Sequence, residues 1–308
     1  MTILETNQLT KTFGGKDVVS DINLKIKQGE IYGFLGQNGA GKTTIMKMIA
    51  KLVRPTSGKI RLFGEQLTMD SVKVLSKIGS IIEYPTLYGH LTADQTLQLH
   101  CEYMGTGTGD RKAIQDSLEL VGLNHVGSKP VHTFSLGMKQ RLGLARAIVT
   151  KPELLMLDEP INGLDPVGIK EMRKLFKTLQ NEFGMTLFIS SHILGELELI
   201  ADTVGIIRDG KLVEEIAVKS LHALSSGEVV VNTNDSGKAA SVIERMLGVD
   251  RLDIMSDKQL KVYNPSVPEH IITKTLVQHN IQVNEIYKKT YSLEQYFLER
   301  MNGGGALA

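Results

Sequence analysis

The chain switches repeatedly between two hydrophobic periods. Ile3–Phe13 and Asp21–Lys27 read as strands that end at turn residues. Ile31–Leu35 is a short unbroken apolar run, the pattern of a buried strand. It runs through the glycine-rich Gly36–Gly41 into a predicted helix from Lys42 to about Leu52, and Lys59–Phe63 returns to a strand. From about Thr92 to Thr150 the spacing is helical, carried by Leu97, Tyr103, Ile114, Leu118, Val121, Leu142, Ala145 and Ile148. Leu154–Leu157 and Thr186–Ser190 then read as strands, with a helix over Val167–Phe183 between them. Such strand–helix alternation predicts an α/β layered fold over residues 1–220, with a helical insertion at about 86–150.

A second pattern starts near Ser225. It offers a strand at Glu228–Val231, a helix at Gly237–Leu247 and two short strands within Arg251–Tyr263. A helix at Pro268–His279, a strand at Gln282–Tyr287 and a last helix at Ser292–Met301 follow. This β-α-β-β-α-β order predicts a small ferredoxin-like α+β unit over residues 225–302. The tail 303–308, with Gly303–Gly305, reads as flexible. No chemical motif stands out in this second unit.

Composition narrows the picture mainly by exclusion. The 308 residues are 42% hydrophobic and 22% charged, enough for a real core. A net charge of +1 gives no electrostatic case for a nucleic-acid partner or an anionic membrane surface. The single cysteine, Cys101, can form no internal disulfide and suits a reducing compartment. Residues Met1–Phe13 hold no apolar signal core, and no apolar stretch approaches the roughly 18 residues of a spanning helix. A cytoplasmic protein is expected, with any membrane role exercised through another chain.

Four segments bear on chemistry. Gly36-Gln37-Asn38-Gly39-Ala40-Gly41-Lys42-Thr43 fits G-x-x-x-x-G-K-[ST], with a strand before it and a helix after it. The glycines let backbone N–H groups turn onto phosphate oxygens, and the helix adds its positive end. Lys42 is suited to the β- and γ-phosphates and the Thr43 hydroxyl to Mg²⁺. In Leu154-Leu155-Met156-Leu157-Asp158-Glu159-Pro160 an apolar strand delivers two carboxylates: Asp158 for Mg²⁺ and Glu159 to polarise an attacking water. Ser135 and Gly137, before the apolar helix 142–148, can bind an anion through hydroxyl and N–H groups. His192 ends the strand Thr186–Ser190 and can touch a γ-phosphate or orient water. Taken singly, the last three have ordinary readings: an acidic turn, an N-cap serine and a structural histidine.

Together and in this order, the four segments resemble the ATPase subunit of an ATP-binding-cassette (ABC) transporter over roughly residues 2 to 220. The resemblance implies a P-loop NTPase core with an antiparallel β subdomain and a helical subdomain. It implies ATP as substrate with Mg²⁺, bound along Gly36 to Thr43 and the adjoining Thr44. It makes Phe13 the residue that stacks on adenine, with Val18 beside it. Ser135 and Gly137 match the signature that contacts the γ-phosphate bound to an opposing subunit. Asp165, in Gly163-Leu164-Asp165, matches the loop joining two ATP sites, and His192 matches the switch histidine. The implied partners are a second ATPase subunit, most simply an identical chain, and an integral membrane permease that holds the protein at the inner face of the membrane.

The departures point further. The signature reads Phe134-Ser135-Leu136-Gly137-Met138, with Leu and Met where Gly and Gln are usual, and Ile161 replaces a common Thr. Glu83, in Ile81-Ile82-Glu83-Tyr84-Pro85, stands where the family usually has a Mg²⁺-binding Gln. A carboxylate also ligates Mg²⁺. With the signature and the Ser292–Phe297 segment, Glu83 resembles exporters of the bacitracin-resistance and lantibiotic-immunity branch. The competing reading is a soluble ABC ATPase acting on ribosomes or DNA. A single P-loop, no sustained heptads and no basic excess weigh against it.

Overall fold

The computed structural model describes residues 1–68, 70–105, 110–224, 228–263, 267–288, 293, 294 and 297. The chain divides into two compact units, Met1–Ala217 and Val218–Ala308. The break falls where one strand ends at Ala217 and a helix begins at Val218, slightly before the residue-220 limit read from the sequence.

In the first unit, β1 (Thr2–Phe13), β2 (Lys16–Ile22) and β3 (Lys25–Lys27) precede β4 (Ile31–Leu35) and α1 (Lys42–Ile49). Next come β5 (Ser57–Leu62), β6 (Glu65–Gln66), α2 (Val72–Leu75) and β7 (Ile78–Ile81). The helical insertion is α3 (Ala93–Tyr103), α4 (Arg111–Leu120) and α5 (Leu136–Ile148). The chain then forms β8 (Leu154–Asp158), α6 (Pro166–Asn181), β9 (Thr186–Ser191), α7 (Leu194–Ile200), β10 (Thr203–Arg208) and β11 (Lys211–Ala217).

Two sheets result. One is antiparallel, ordered β2-β1-β5-β6 with β3 also paired to β1. The other is ordered β11-β10-β4-β9-β8-β7, parallel except for the β10–β11 edge. Strands β4, β8 and β9 are buried along their whole length, which is why their sequences run apolar without alternation. A shared core between the sheets and α1 holds Leu4, Leu9, Tyr32, Phe34, Ile45, Met46, Leu154, Met156 and Phe188. Phe188 stacks edge-on to Tyr32 at 5.7 Å and tilted to Phe34 at 5.5 Å. The Tyr32 hydroxyl donates to Glu215 Oε1 of β11 at 2.5 Å, crossing Gly205 of β10, where a Cβ would lie 2.1 Å from that oxygen. Burial pushes both the Tyr32 phenol and the Glu215 carboxyl above their ordinary ranges.

The strand expected over Asp21–Lys27 is instead two. Asp21 adopts φ 53°, and Asn23 turns its side chain to the backbone, donating to Asp21 O (3.0 Å) and accepting from Gln8 N (2.8 Å). Helix α1 stops at Ile49 rather than near Leu52, because Lys51 takes φ 59°.

In the second unit, α8 (Val218–Leu224) precedes β12 (Val229–Thr233), α9 (Ser236–Leu247), β13 (Leu252–Ser256), β14 (Gln259–Val262), α10 (Glu269–Gln278) and β15 (Val283–Lys288). The sheet order β13-β14-β12-β15, antiparallel throughout, is the ferredoxin-like arrangement that the element order predicts. Val229 and Val231 face Ala239, Ile243, Ile272 and Leu276 in its core. The onset near Ser225, most of the helix expected over Ser292–Met301 and the tail lie outside the described residues.

Candidate active site

The Gly36–Thr43 loop leaves β4 at the carboxyl edge of the parallel sheet, where ligands of open α/β sheets bind. Two of its glycines are dictated by space. A Cβ on Gly36 would lie 2.7 Å from the Ile207 carbonyl oxygen. Gly41 holds φ 106°, and a Cβ there would lie 2.9 Å from Val18 O, so Val18 abuts the loop. Gln37, Asn38 and Gly39 form an exposed crest over the buried Ala40. Helix α1 begins on Gly41 with no side-chain cap and no acidic residue in its first turn. Its first N–H groups and the positive end of its dipole are thereby left for an anion.

Lys42 is buried, and its ammonium donates to Gly36 O at 2.6 Å and Gln37 O at 3.3 Å. Thr43 Oγ1 donates to Asp158 Oδ2 at 2.7 Å, and Thr44 is partly buried beside it. Strand β8 delivers Asp158 in parallel register with Ser190 of β9. Ser190 Oγ donates to Asp158 Oδ1 at 2.5 Å and accepts from Glu159 N at 3.0 Å. Glu159 leaves the strand at φ 50°, a conformation that a non-glycine residue adopts at some cost. Its Oε2 lies 2.8 Å from His192 Nδ1 and its Oε1 3.3 Å from the Lys42 ammonium. That second contact has ion-pair distance without hydrogen-bond alignment. Among the described residues, Glu159 Oε1 is buried and has no hydrogen-bond partner.

The structure thus brings Lys42, Thr43, Asp158, Glu159 and His192 into one linked network. Glu83 borders it. Glu83 lines a cavity of about 180 Å³ together with Asp158 and Glu159, but its Oε1 pairs with Lys47 of α1 at 2.6 Å. Phe13 is half-exposed at the end of β1, with the Lys11 ammonium 4.7 Å over its ring, and its partner across the β1–β2 pairing is Lys16, two residues before Val18.

Ser135 and Gly137 sit apart, at the start of α5. Ser135 Oγ accepts from Met138 N at 3.3 Å, capping the helix. Their near neighbours are in the Gly163–Asp165 loop: a Cβ on Gly137 would lie 3.2 Å from Leu164, and one on Gly163 would lie 3.1 Å from Leu136. Asp165 caps α6, accepting from Gly168 N at 2.7 Å. Ser135, Leu136, Gly163 and Asp165 are all exposed.

Comparisons with known proteins give the family. The sequence profile described as ABC transporter matches residues 19–162. The uncharacterised ABC transporter ATP-binding protein YcbN of Bacillus subtilis is 51% identical over 306 residues, covering 99% of this chain and 99% of its own length. The chain belongs to the ABC transporter ATP-binding proteins. It is an ATP-binding, ATP-hydrolysing subunit of that family. The bacitracin transport ATP-binding protein BcrA of Bacillus licheniformis is 44% identical over 303 residues, 98% of each chain. The dimeric structure of the bacterial ABC transporter cassette MJ0796 superposes with a TM-score of 0.64 at 25% identity, covering 70% of this chain and 99% of that one. Among the described residues of this chain, no helix is long and apolar enough to cross a membrane.

Two residues of the cassette's site were not assigned from sequence. Ser190 lies within the Ser190-Ser191-His192 segment, yet only the β8–β9 register reveals that it bonds Asp158 and Glu159. Lys47 carried no signal beyond lying four residues, one helical turn, after Thr43.

Mg²⁺ is typically held by one or two carboxylates together with substrate phosphates, not by an all-protein cage. The site has that donor set: the Thr43 hydroxyl and the buried Asp158 carboxylate, one bond apart beside the loop. Among the described residues no cluster of three or more histidine, cysteine or acidic side chains offers such a cage. The residues present fit Mg²⁺ carried with a nucleotide.

Proposed function

We propose that the chain is the motor of an exporter, one half of a dimer of identical chains that drives a peptide antibiotic or related drug through a separate membrane permease. Similarity along the whole chain to a bacitracin transport ATP-binding protein supports the substrate class. Similarity to a dimeric cassette supports the pairing. In this reading the protein is cytoplasmic, held at the inner face of the membrane by the permease, and has no nucleic-acid partner. The second unit takes no part in the chemistry.

The observation that carries the chemical reading is the buried, unbonded Glu159 Oε1 beside the Lys42 ammonium. A carboxylate oxygen so placed is ready to accept a hydrogen bond from water. The ATP phosphates settle on the N–H groups of the loop and the first turn of α1. Lys42 exchanges the Gly36 and Gln37 carbonyls for β- and γ-phosphate oxygens. Thr43 and Asp158, with Glu83 at the rim, would hold Mg²⁺, which when bound neutralises charge on those phosphates. Glu159 orients and polarises a water. The water oxygen bonds to the γ-phosphorus, the bond to the bridging oxygen breaks, and the proton passes through Glu159 to the phosphate products. His192 donates from Nδ1 to Glu159 Oε2 and so fixes the carboxylate plane that orients the water. Phe13 and Val18 take the adenine. Ser135 and Gly137 meet the γ-phosphate held by the opposing subunit, and Asp165 links the two sites.

Glu159→Gln tests this directly. The amide keeps the shape and loses the basicity, so hydrolysis should fall about 10²- to 10⁴-fold. ATP should meanwhile hold a stable dimer on size-exclusion chromatography. Turnover at the unmodified rate would remove Glu159 from the chemistry.

A further inference from the structure

Glu83 and Lys47 form a contact that the reaction described above does not use. Glu83 follows β7, and the last register pair between β7 and β8 is Ile81 with Leu157. Two residues further on along each chain segment, Glu83 and Glu159 line the same cavity. Both take left-handed backbone conformations, Glu83 at φ 64° and Glu159 at φ 50°. Glu83 therefore emerges beside the carboxylate pair, yet its side chain bonds to α1 instead, 2.6 Å from the Lys47 ammonium.

Lys47 stands four residues after Thr43, on the same face of α1. The acceptor position that Glu83 occupies is thus about one helical turn, roughly 5.4 Å, along α1 from the hydroxyl that meets Asp158. The pair is half open to solvent, with side-chain exposures of 29% for Lys47 and 61% for Glu83. Such a pair is weak enough to exchange. A glutamine at position 83 would keep the reach and lose the ion pair. A second link ties this segment to the signature helix. Pro85 packs into the space left by Gly143 of α5, where a Cβ would lie 2.7 Å from it, and Arg146 of α5 donates to Thr86 O at 2.8 Å.

We propose that Lys47 is a positioning residue that holds Glu83 one turn away from the metal-side position at Thr43 and Asp158, so that metal and Lys47 compete for one carboxylate. This rests on the reading of Glu83 as a metal-side ligand. Lys47 itself touches neither nucleotide nor metal. It sets how much Mg²⁺ is needed before Glu83 turns inward, and through Pro85 and Thr86 that turn pulls on α5.

The test is calorimetric binding of a non-hydrolysable ATP analogue to the full chain at graded Mg²⁺, which requires no turnover. Lys47→Met should lower the Mg²⁺ concentration for half-maximal binding about twofold to fivefold, the range expected of a partly exposed ion pair. Lys47→Arg should restore the original value. Glu83→Gln should raise it, and adding Lys47→Met to Glu83→Gln should change nothing more. If Lys47→Met has no effect, or has the same effect with Gln at position 83, Lys47 does not act through Glu83 and the proposal is overturned, while the metal-side reading of Glu83 stands. If Glu83→Gln leaves the Mg²⁺ dependence unchanged although the analogue binds, that reading itself fails, and the proposal with it.

Discussion

Helices α1 and α5 both begin where an anion could be bound, and they begin in opposite ways. The first turn of α1 has a glycine N-cap, no capping side chain, a buried lysine and two carboxylates brought to it by β8. The first turn of α5 caps itself with Ser135, is exposed at Ser135 and Leu136, and has as its near neighbours Leu164 and Gly163 of its own chain. One end is surrounded by groups that can act on a phosphate; at the other, Ser135 and Leu136 are exposed and the Ser135 hydroxyl caps its own helix at Met138 N. In the proposed reading, a complete site pairs the α5 end of one cassette with the α1 end of another. The Glu83–Pro85 segment, bonded to Lys47 in the last turn of α1 and packed two residues later on Gly143 in the middle of α5, links the two helices within a single chain.

Breaking the α1 end should have the largest effect. Lys42→Ala removes the ammonium from the phosphates and should lower hydrolysis about 10³-fold, with ATP binding weakened in the same protein, as a fluorescent nucleotide titration would register. His192→Ala leaves Glu159 Oε2 without its donor and should cost about 10²-fold in turnover with nucleotide affinity nearly intact. At the α5 end, Ser135→Ala should lower the hydrolysis of the assembled dimer about tenfold to a hundredfold. The ATP affinity of the separate chain should not move. A loss of affinity there would show that Ser135 serves its own chain's nucleotide, and would erase the contrast between the two ends.

The smallest effect concerns a group remote from both ends. Burial raises the folded-state pKa of Glu215, although the Tyr32 hydrogen bond partly offsets it. The stability this carboxyl contributes is therefore full below its unfolded pKa and is lost as pH rises through the raised folded value. Glu215→Gln keeps an acceptor for Tyr32 and removes that loss. Its melting temperature should slightly exceed that of the unmodified chain at pH 7, with the gap closing near pH 4, and its ATPase rate should be unchanged.

The parallel core was legible because strands buried on both faces must be apolar throughout; Ile31–Leu35 and Leu154–Leu157 announce themselves in that way. The loop between Gly36 and Thr43 was legible because Gly36 and Gly41 are required by Ile207 O and Val18 O, so their spacing is a steric record. Other parts left weaker marks. β7 is four residues long and includes Gly79, whose place is set by the Ala147 carbonyl 2.1 Å from where a Cβ would be, a partner distant in sequence. The segment from Leu194 to Ala217 carries no motif and became α7, β10 and β11, with β10 paired to β4 and β11 to β10. Ser190 and Lys47 were hidden for a related reason. Their partners are defined by sheet register and by helix phase across the site, and a linear pattern of apolar and polar residues encodes neither.

The central claim is that each complete site is shared between two copies of this chain. It is tested most directly by mixing two inactive full-length variants, Lys42→Ala and Ser135→Arg with Gly137→Asp, and measuring ATP hydrolysis by the reassembled mixture. A mixed dimer has one site in which an intact loop faces an intact signature. The account predicts that activity reappears on mixing, at a fraction of the unmodified rate, while each variant alone stays silent. Continued silence of the mixture, with mixed dimers demonstrated by differential tagging, would contradict it.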